Sequence, residues 1–253
     1  MKKTLFTLHL FVPTTLLCLF ACQSKDPCGV EPDKAYQFPS IPANSSMTIA
    51  EREAYVNLPA NISQCLTTRS LIETCLAYPN ISLIDAGVNP QSGYRLVSTK
   101  FRGLNDLSNR EDRSVHLLDK YRSVVVSGYP TTAGLAAIGN YTAKIYYLEV
   151  IISQEINLKS FNLEQKISLV EQARAVYEQK RTDANYGLYR IASSDTLLSR
   201  LMKADRYQPF LAVYKPNEPD WDVVAFYWPA TPLTVQAIYE LSTGYLTFLK
   251  RQR

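Results

Sequence analysis

From residue 47 to the C-terminus, side chains that cap helices repeatedly precede apolar residues spaced three and four apart, and this confines the chain to an all-α fold. Thr48-x-x-Glu51 forms a capping box that opens a short helix through Tyr55. A second short helix is expected over 68–77, stopped at Tyr78-Pro79 because a residue before proline is pushed out of the α region. Asn89-Pro90 places a cap before a proline at the first helical position, and Tyr94, Val97, Phe101 and Leu104 then share one face. Ser108-x-x-Glu111 reads as another capping box, followed by Val115, Leu118, Tyr121 and Val125. Over 133–155, Ile138, Tyr141, Ile145, Leu148 and Ile152 alternate three and four apart, and only Lys144, Glu149 and Glu155 are charged. That segment is the expected central helix. Asn162-x-x-Gln165 caps the next helix, which puts Leu163, Ile167, Val170 and Tyr177 inside. Helices are also expected over 194–204 and after Thr231-Pro232. In the last of these Val235, Ile238, Leu241, Tyr245 and Phe248 form the stripe, with Lys250 and Arg251 at its negative end. The total is about seven to nine helices in an irregular multi-helix domain, either a bundle or a short α-solenoid.

One stretch departs from this pattern. Residues 210–228 hold Pro216, Pro219 and two apolar runs, and an aromatic, proline-rich loop is favoured there over an isolated hairpin, which would be marginal. Tyr207, Phe210, Tyr214, Trp221, Phe226, Tyr227 and Trp228 fall within 22 positions. Tyr214, Trp221, Tyr227 and Trp228 are the candidate binding aromatics, since exposed rings stack on sugars or anchor a protein partner. The plainer alternative is that the rings staple the loop to the helical body as core.

The chain begins Met1-Lys2-Lys3, continues with an apolar run over 5–21 and reaches Cys22, the layout of a secretory signal too short for a comfortable membrane span. Leu19-Phe20-Ala21-Cys22 resembles the lipobox of bacterial lipoproteins, with Phe20 departing from the usual small or aliphatic residue. That resemblance implies removal of 1–21, a lipidated Cys22, and membrane attachment through the acyl chains. Gln23 stands where inner-membrane retention signals place Asp, so the resemblance implies the outer membrane of the bacterial envelope, on an unspecified face. Residues 22–46, with Pro27, Pro32, Pro39 and Pro42 and no periodicity, read as a flexible tether, and 47–253 as the globular domain. Without Lys2 and Lys3 the mature chain carries 25 basic against 23 acidic residues, and no Lys/Arg-rich block suggests nucleic acid as a partner. Export permits a disulfide. Cys65 and Cys75 are the candidate pair, and lone buried thiols are the alternative.

Catalytic signatures are missing. After the signal His116 is the only histidine, which excludes sites that need two, and no motif for zinc, dinucleotide, P-loop or serine chemistry occurs. No catalytic residue, metal or cofactor is therefore expected. Asp112, His116 and Asp119 could orient a general base, but a polar-face histidine with i,i+4 partners is the simpler reading. A Cys75–His116 nucleophile is disfavoured because burial would keep the thiol inert. Glu218, Asp220 and Asp222 read as a solvated acidic turn before they read as a calcium site. Asp195-Thr196-Leu197 matches a short O-glycosylation acceptor pattern of Bacteroidetes-type bacteria.

Leu71-Ile72-Glu73-Thr74-Cys75-Leu76-Ala77-Tyr78-Pro79, Phe101-Arg102-Gly103-Leu104-Asn105-Asp106-Leu107 and Asn109-Arg110-Glu111-Asp112, with Leu197–Met202 and Tyr207-Gln208-Pro209-Phe210, resemble an uncharacterised family of helical exported proteins from Bacteroidetes-type bacteria. The resemblance implies export and helicity, and it brings no activity with it. The leading expectation is a non-catalytic, lipid-anchored envelope adaptor that contacts another protein. A glycan- or peptide-binding surface lipoprotein is the alternative, and a carboxylate-based enzyme comes third.

Overall fold

The structure is a computed structural model that describes residues 29–42, 45–87, 89–130, 132, 134–215 and 231–253. Among these residues it is helical with no strand. The order is α1 (Ile49–Tyr55), α2 (Ala60–Cys65), α3 (Thr68–Leu76), a 3-10 turn (Ile81–Ile84), α4 (Pro90–Lys100), α5 (Arg102–Ser108), α6 (Arg113–Arg122), α7 (Leu135–Ile152), α8 (Glu155–Leu158), α9 (Leu163–Thr182), α10 (Leu188–Ala204), α11 (Gln208–Leu211) and α12 (Pro232–Lys250). The expected caps at Thr48, Asn162 and Thr231 all accept from a backbone N–H of the first turn. The Thr48 and Asn162 boxes are closed reciprocally by Glu51 and Gln165.

Two local expectations fail for identifiable reasons. Ser108 does not cap a helix; its hydroxyl turns back to the Asn105 carbonyl, and α6 begins only at Arg113. Asp112, in the flanking position, instead accepts from the Thr68 hydroxyl at 2.6 Å, which ties α6 to α3. Leu117, Leu118 and Tyr121 of α6 are buried, while Val115 is exposed and so is Val125, which lies beyond the end of the helix at Arg122. The face from Tyr94 to Leu104 is buried throughout, but the chain leaves the helical region at Phe101 (φ −112°, ψ 108°), so two helices share it.

The centre of the fold is α10, not α7. It packs against α7, α8, α9, α11 and α12, the hub of a multi-helix domain. Every residue over 192–199 is buried, whereas α7 begins with Leu135 at 85% exposure and is buried mainly in its second half. Ser, Thr and Asp lower the apolar reading of α10, yet small hydroxyls can be buried cheaply when they bond locally. Thr196 donates to the Ala192 carbonyl and Ser199 to that of Thr196. Thr196 is 1% exposed inside this helix, so the acceptor pattern at Asp195-Thr196-Leu197 is closed to a glycosylating enzyme.

Residues 29–42, part of the expected tether, lie against the body. Val30, Tyr36 and Phe38 pack on the core, the Thr67 N–H donates to the Pro32 carbonyl at 3.0 Å, and the Tyr36 N–H donates to the Thr74 hydroxyl at 2.9 Å. The candidate Cys65–Cys75 disulfide is not formed. Cys75 is a free, fully buried thiol on α3, while Cys65, at the end of α2, is disulfide-bonded to a partner outside the described residues. Burial pushes the Cys75 thiol far above its ordinary range, so it packs as an inert apolar side chain. Among the described residues, no helix is long and apolar enough to cross a membrane.

Candidate functional site

Two charged regions are built on opposite ends of α10. At its N-terminal half, Glu149 of α7 and Lys180 of α9 are both 0% exposed and meet at 2.6 Å. Ser194 and Tyr121 donate to one Glu149 oxygen, each at 2.7 Å, and Ser193 donates to the other. The Lys180 ammonium also donates to the Arg190 carbonyl at 3.0 Å and to the hydroxyl oxygens of Ser193 and Ser194. Burial pulls the lysine below its usual range while Glu149 opposes that shift. Asp195, next in sequence, is fully buried, and neither of its oxygens has a hydrogen-bond partner. Desolvation raises it well above the ordinary carboxylate value despite Lys180 nearby. This region is sealed, with the Glu149–Lys180 pair matched inside it and Asp195 left without a hydrogen-bond partner. It is a structural core with no room for a ligand.

The C-terminal half of α10 opens onto a cavity of about 670 Å³. Asn89, Gln91 and Arg95 line it from α4, Glu155, Leu158 and Lys159 from α8 and its end, Lys166 from α9, and Arg200, Lys203, Ala204 and Asp205 from α10 and its cap. Glycine sets the position of one wall: a Cβ on Gly93 would fall 1.9 Å from the Ile84 carbonyl oxygen, so only glycine lets α4 lie on the 3-10 turn there. Gln91 then holds Arg200 through its side-chain oxygen at 2.7 Å and donates to Gln154 at 2.8 Å. Gln154 is anchored in turn on the Val150 carbonyl.

Among the described residues, five cations and two carboxylates line the cleft. Lys159 pairs with Glu155 at 2.6 Å, and Lys166 pairs with Asp205. The second Asp205 oxygen accepts from Tyr245 at 2.6 Å, which fixes that acid in place. Arg95 has no ion pair or hydrogen bond among the described residues, and the Lys203 ammonium lies 5.2 Å from the Tyr214 ring centre. Burial lowers the Arg200 guanidinium to about 10, still charged at neutral pH, with Glu155 opposing the shift. Lys159 holds the Glu155 carboxyl below the usual range. A lowered carboxyl at Glu155 is the opposite of the raised pKa that a general acid needs.

Of the candidate aromatics, Tyr214 is placed at the rim of this cleft, stacked on buried Phe210 at 5.3 Å. Tyr207 packs between Tyr245 and Phe248, so the first part of the aromatic segment is core, and α11 occupies the start of the expected loop. Trp221, Tyr227 and Trp228, together with Cys22, Glu218, Asp220 and Asp222, lie outside the described residues. His116 contacts Asp112 at 3.1 Å as the i,i+4 pair, and no hydrogen bond joins it to Cys75. Among the described residues, no group of His, Cys, Asp and Glu is placed to hold a metal. The cleft cations escaped the sequence reading because they come from four separate segments; only the Arg200-x-x-Lys203 spacing on one helical face hints at them.

Compared with known proteins, the chain matches no family model, no curated protein and no solved structure.

Proposed function

We propose that this chain is a non-catalytic, lipid-anchored binding protein of the bacterial outer membrane, with the cleft at the end of α10 as its ligand seat and Cys22 as its anchor. The observation that carries the reading is the cleft itself: a concavity of about 670 Å³ whose described lining residues include five cations and two ion-paired carboxylates. Its volume is that of a small-ligand site. Both acids are held in ion pairs and the Glu155 carboxyl is lowered, which favours binding over acid–base chemistry. An adaptor role is the second reading, favoured by the exposure of Leu135 (85%) and Leu233 (83%) at the starts of α7 and α12.

The test has two arms. Palmitate labelling of cells should mark the wild-type chain and not Cys22→Ser; equal labelling of both would remove the anchor from the proposal. The purified chain should be stabilised against heat by anionic small molecules and recovered with those molecules chemically unchanged. Turnover of any of them would replace binding with catalysis. A stoichiometric cross-linked envelope protein, with no stabilisation by small anions, would move the assignment to the adaptor.

A further inference from the structure

We infer that Cys28 is the disulfide partner of Cys65, a covalent staple that fastens the N-terminal strap, residues 29–42, to the corner between α2 and α3. The staple leaves residues 23–27 as the only tether to the lipid, a consequence that rests on the reading of Cys22 as the anchor.

The cysteine inventory sets the first limit. The chain has five cysteines, at positions 18, 22, 28, 65 and 75. Cys65 is disulfide-bonded and Cys75 is a free, fully buried thiol, so the partner is Cys18, Cys22 or Cys28. On the anchor reading, signal cleavage removes Cys18 and acylation occupies the Cys22 sulfur. Cys28 is the thiol that remains.

Position points the same way and does not depend on the anchor. The Pro32 carbonyl accepts from the Thr67 N–H at 3.0 Å and from the Thr67 hydroxyl at 3.3 Å, so the strap is held against the start of α3. Thr67 lies two residues after Cys65, the last residue of α2. Four residues of chain, about 14 Å at full extension, separate Pro32 from Cys28, which puts its sulfur within reach of Cys65. Gly29 has φ +63°, the left-handed region that favours glycine, and so turns the chain directly after Cys28. Val30, Tyr36 and Phe38 then pack on the core, and the Tyr36 N–H is held by the Thr74 hydroxyl.

The chemistry needs an oxidant, and export supplies the compartment for it. The two thiols lose two protons and two electrons to the disulfide of an exported thiol oxidase, which leaves as a dithiol after a mixed disulfide with one of them. Cys65 is half-buried and open to that exchange, whereas Cys75 is sealed in the core and does not compete. Once the staple is closed, the five residues 23–27 span at most about 18 Å, and the α2–α3 corner is the part of the domain held closest to the membrane.

The test starts with the full chain purified from the envelope, alkylated in denaturant without reductant and digested with trypsin. Cleavage at Lys and Arg puts Cys28, Cys65 and Cys75 in separate peptides, 26–34, 53–69 and 70–95. The expected products are a joined 26–34/53–69 pair that dithiothreitol separates and an alkylated 70–95. Peptide 53–69 found alkylated, or joined to any other peptide, would overturn the staple. Cys28→Ser and Cys65→Ser should each lower Tm by about 5–10 °C, and the double variant should lose no more than either one; additive losses would also overturn it. The tether is tested with Lys25→Gln on phosphatidylcholine vesicles, cut by a lysine-specific protease at exposed Lys34. The domain should stay on the vesicles until dithiothreitol is added, and release by the cut alone would overturn the staple. A chain that never joins the vesicles would overturn the anchor reading and the short tether with it, while the peptide pair still decides the staple.

Discussion

The two halves of α10 treat charge in opposite ways. Around Ser193, Ser194 and Asp195 the helix helps enclose a lysine and a glutamate that pair with each other, and burial raises the pKa of the one extra acid there. Around Arg200, Lys203 and Asp205 the same helix lines an open cavity, with more cations than acids among the described lining residues. An uncompensated charge in the first region would be paid for in stability. In the second, water tolerates it, and it is free to be compensated by something from outside. The contrast separates charge that specifies a fold from charge that recruits a ligand.

The comparison breaks hardest at Lys180. Lys180→Met leaves Glu149 buried without its cation, and a loss of about 3–5 kcal/mol is expected in urea denaturation. Adding Glu149→Leu removes the stranded charge, and the double variant should recover much of that loss. A double variant no more stable than Lys180→Met would mean that the hydroxyls of Tyr121, Ser193 and Ser194 depend on the pair as a network.

A smaller effect of a different kind is expected at Gly93. Gly93→Ala drives a methyl into the Ile84 carbonyl, so α4 must lift from the 3-10 turn, at a cost of about 1–3 kcal/mol. Because α4 carries Gln91 and Arg95, anion affinity should fall along with thermal stability. In the Lys180→Met chain, still folded at low temperature, affinity should hold.

These two sites also show how much of the molecule is legible in its sequence. Helix starts were readable wherever one side chain and the backbone decide them, as at Thr48, Asn162 and Thr231, because capping is a local contest. Ser108 misled because a tertiary partner, Thr68, claimed Asp112 and fixed where α6 begins. The hub helix was hidden for a related reason: hydropathy scores Ser193, Ser194, Asp195, Thr196 and Ser199 as surface residues, and only their partners on other helices make burial affordable. The cleft was less legible still. Its lining is a property of four segments brought together, and Arg95 and Lys203 look like ordinary exposed helix residues until α4 and α10 share a wall.

Asp195 offers a sharper and smaller test within the sealed half. Its folded-state pKa is raised well above its ordinary 3.8, so as pH climbs past that value the unfolded chain gives up the proton and the folded chain keeps it. The stability contributed by the protonated acid is therefore full below about pH 4 and is progressively lost as pH rises toward the folded value. Asn carries no such proton and fits the same volume. Asp195→Asn should be neutral at pH 3.5 and stabilising at pH 7 by of the order of 1 kcal/mol, about 2–4 °C in Tm for a chain of this size. A gain that is the same at both values would mean that the carboxyl is not the titrating group.

The smallest expected effect tests the open half, and it separates stability from binding. Glu155→Gln removes an exposed pair with Lys159, both side chains being 70% exposed, so the loss of stability should stay within about 0.5 kcal/mol. It also takes one acid from the described lining of the cleft and releases Lys159. An anionic small molecule that stabilises the chain should then bind more tightly, by about twofold to fivefold at low salt, with the gain shrinking as ionic strength rises. In the sealed half, removing an acid from its pair can only destabilise, because nothing from outside can reach the lysine. In the cleft, the same kind of change should leave the fold nearly untouched and improve the site. If Glu155→Gln weakens binding, Glu155 is itself a ligand contact that accepts a hydroxyl.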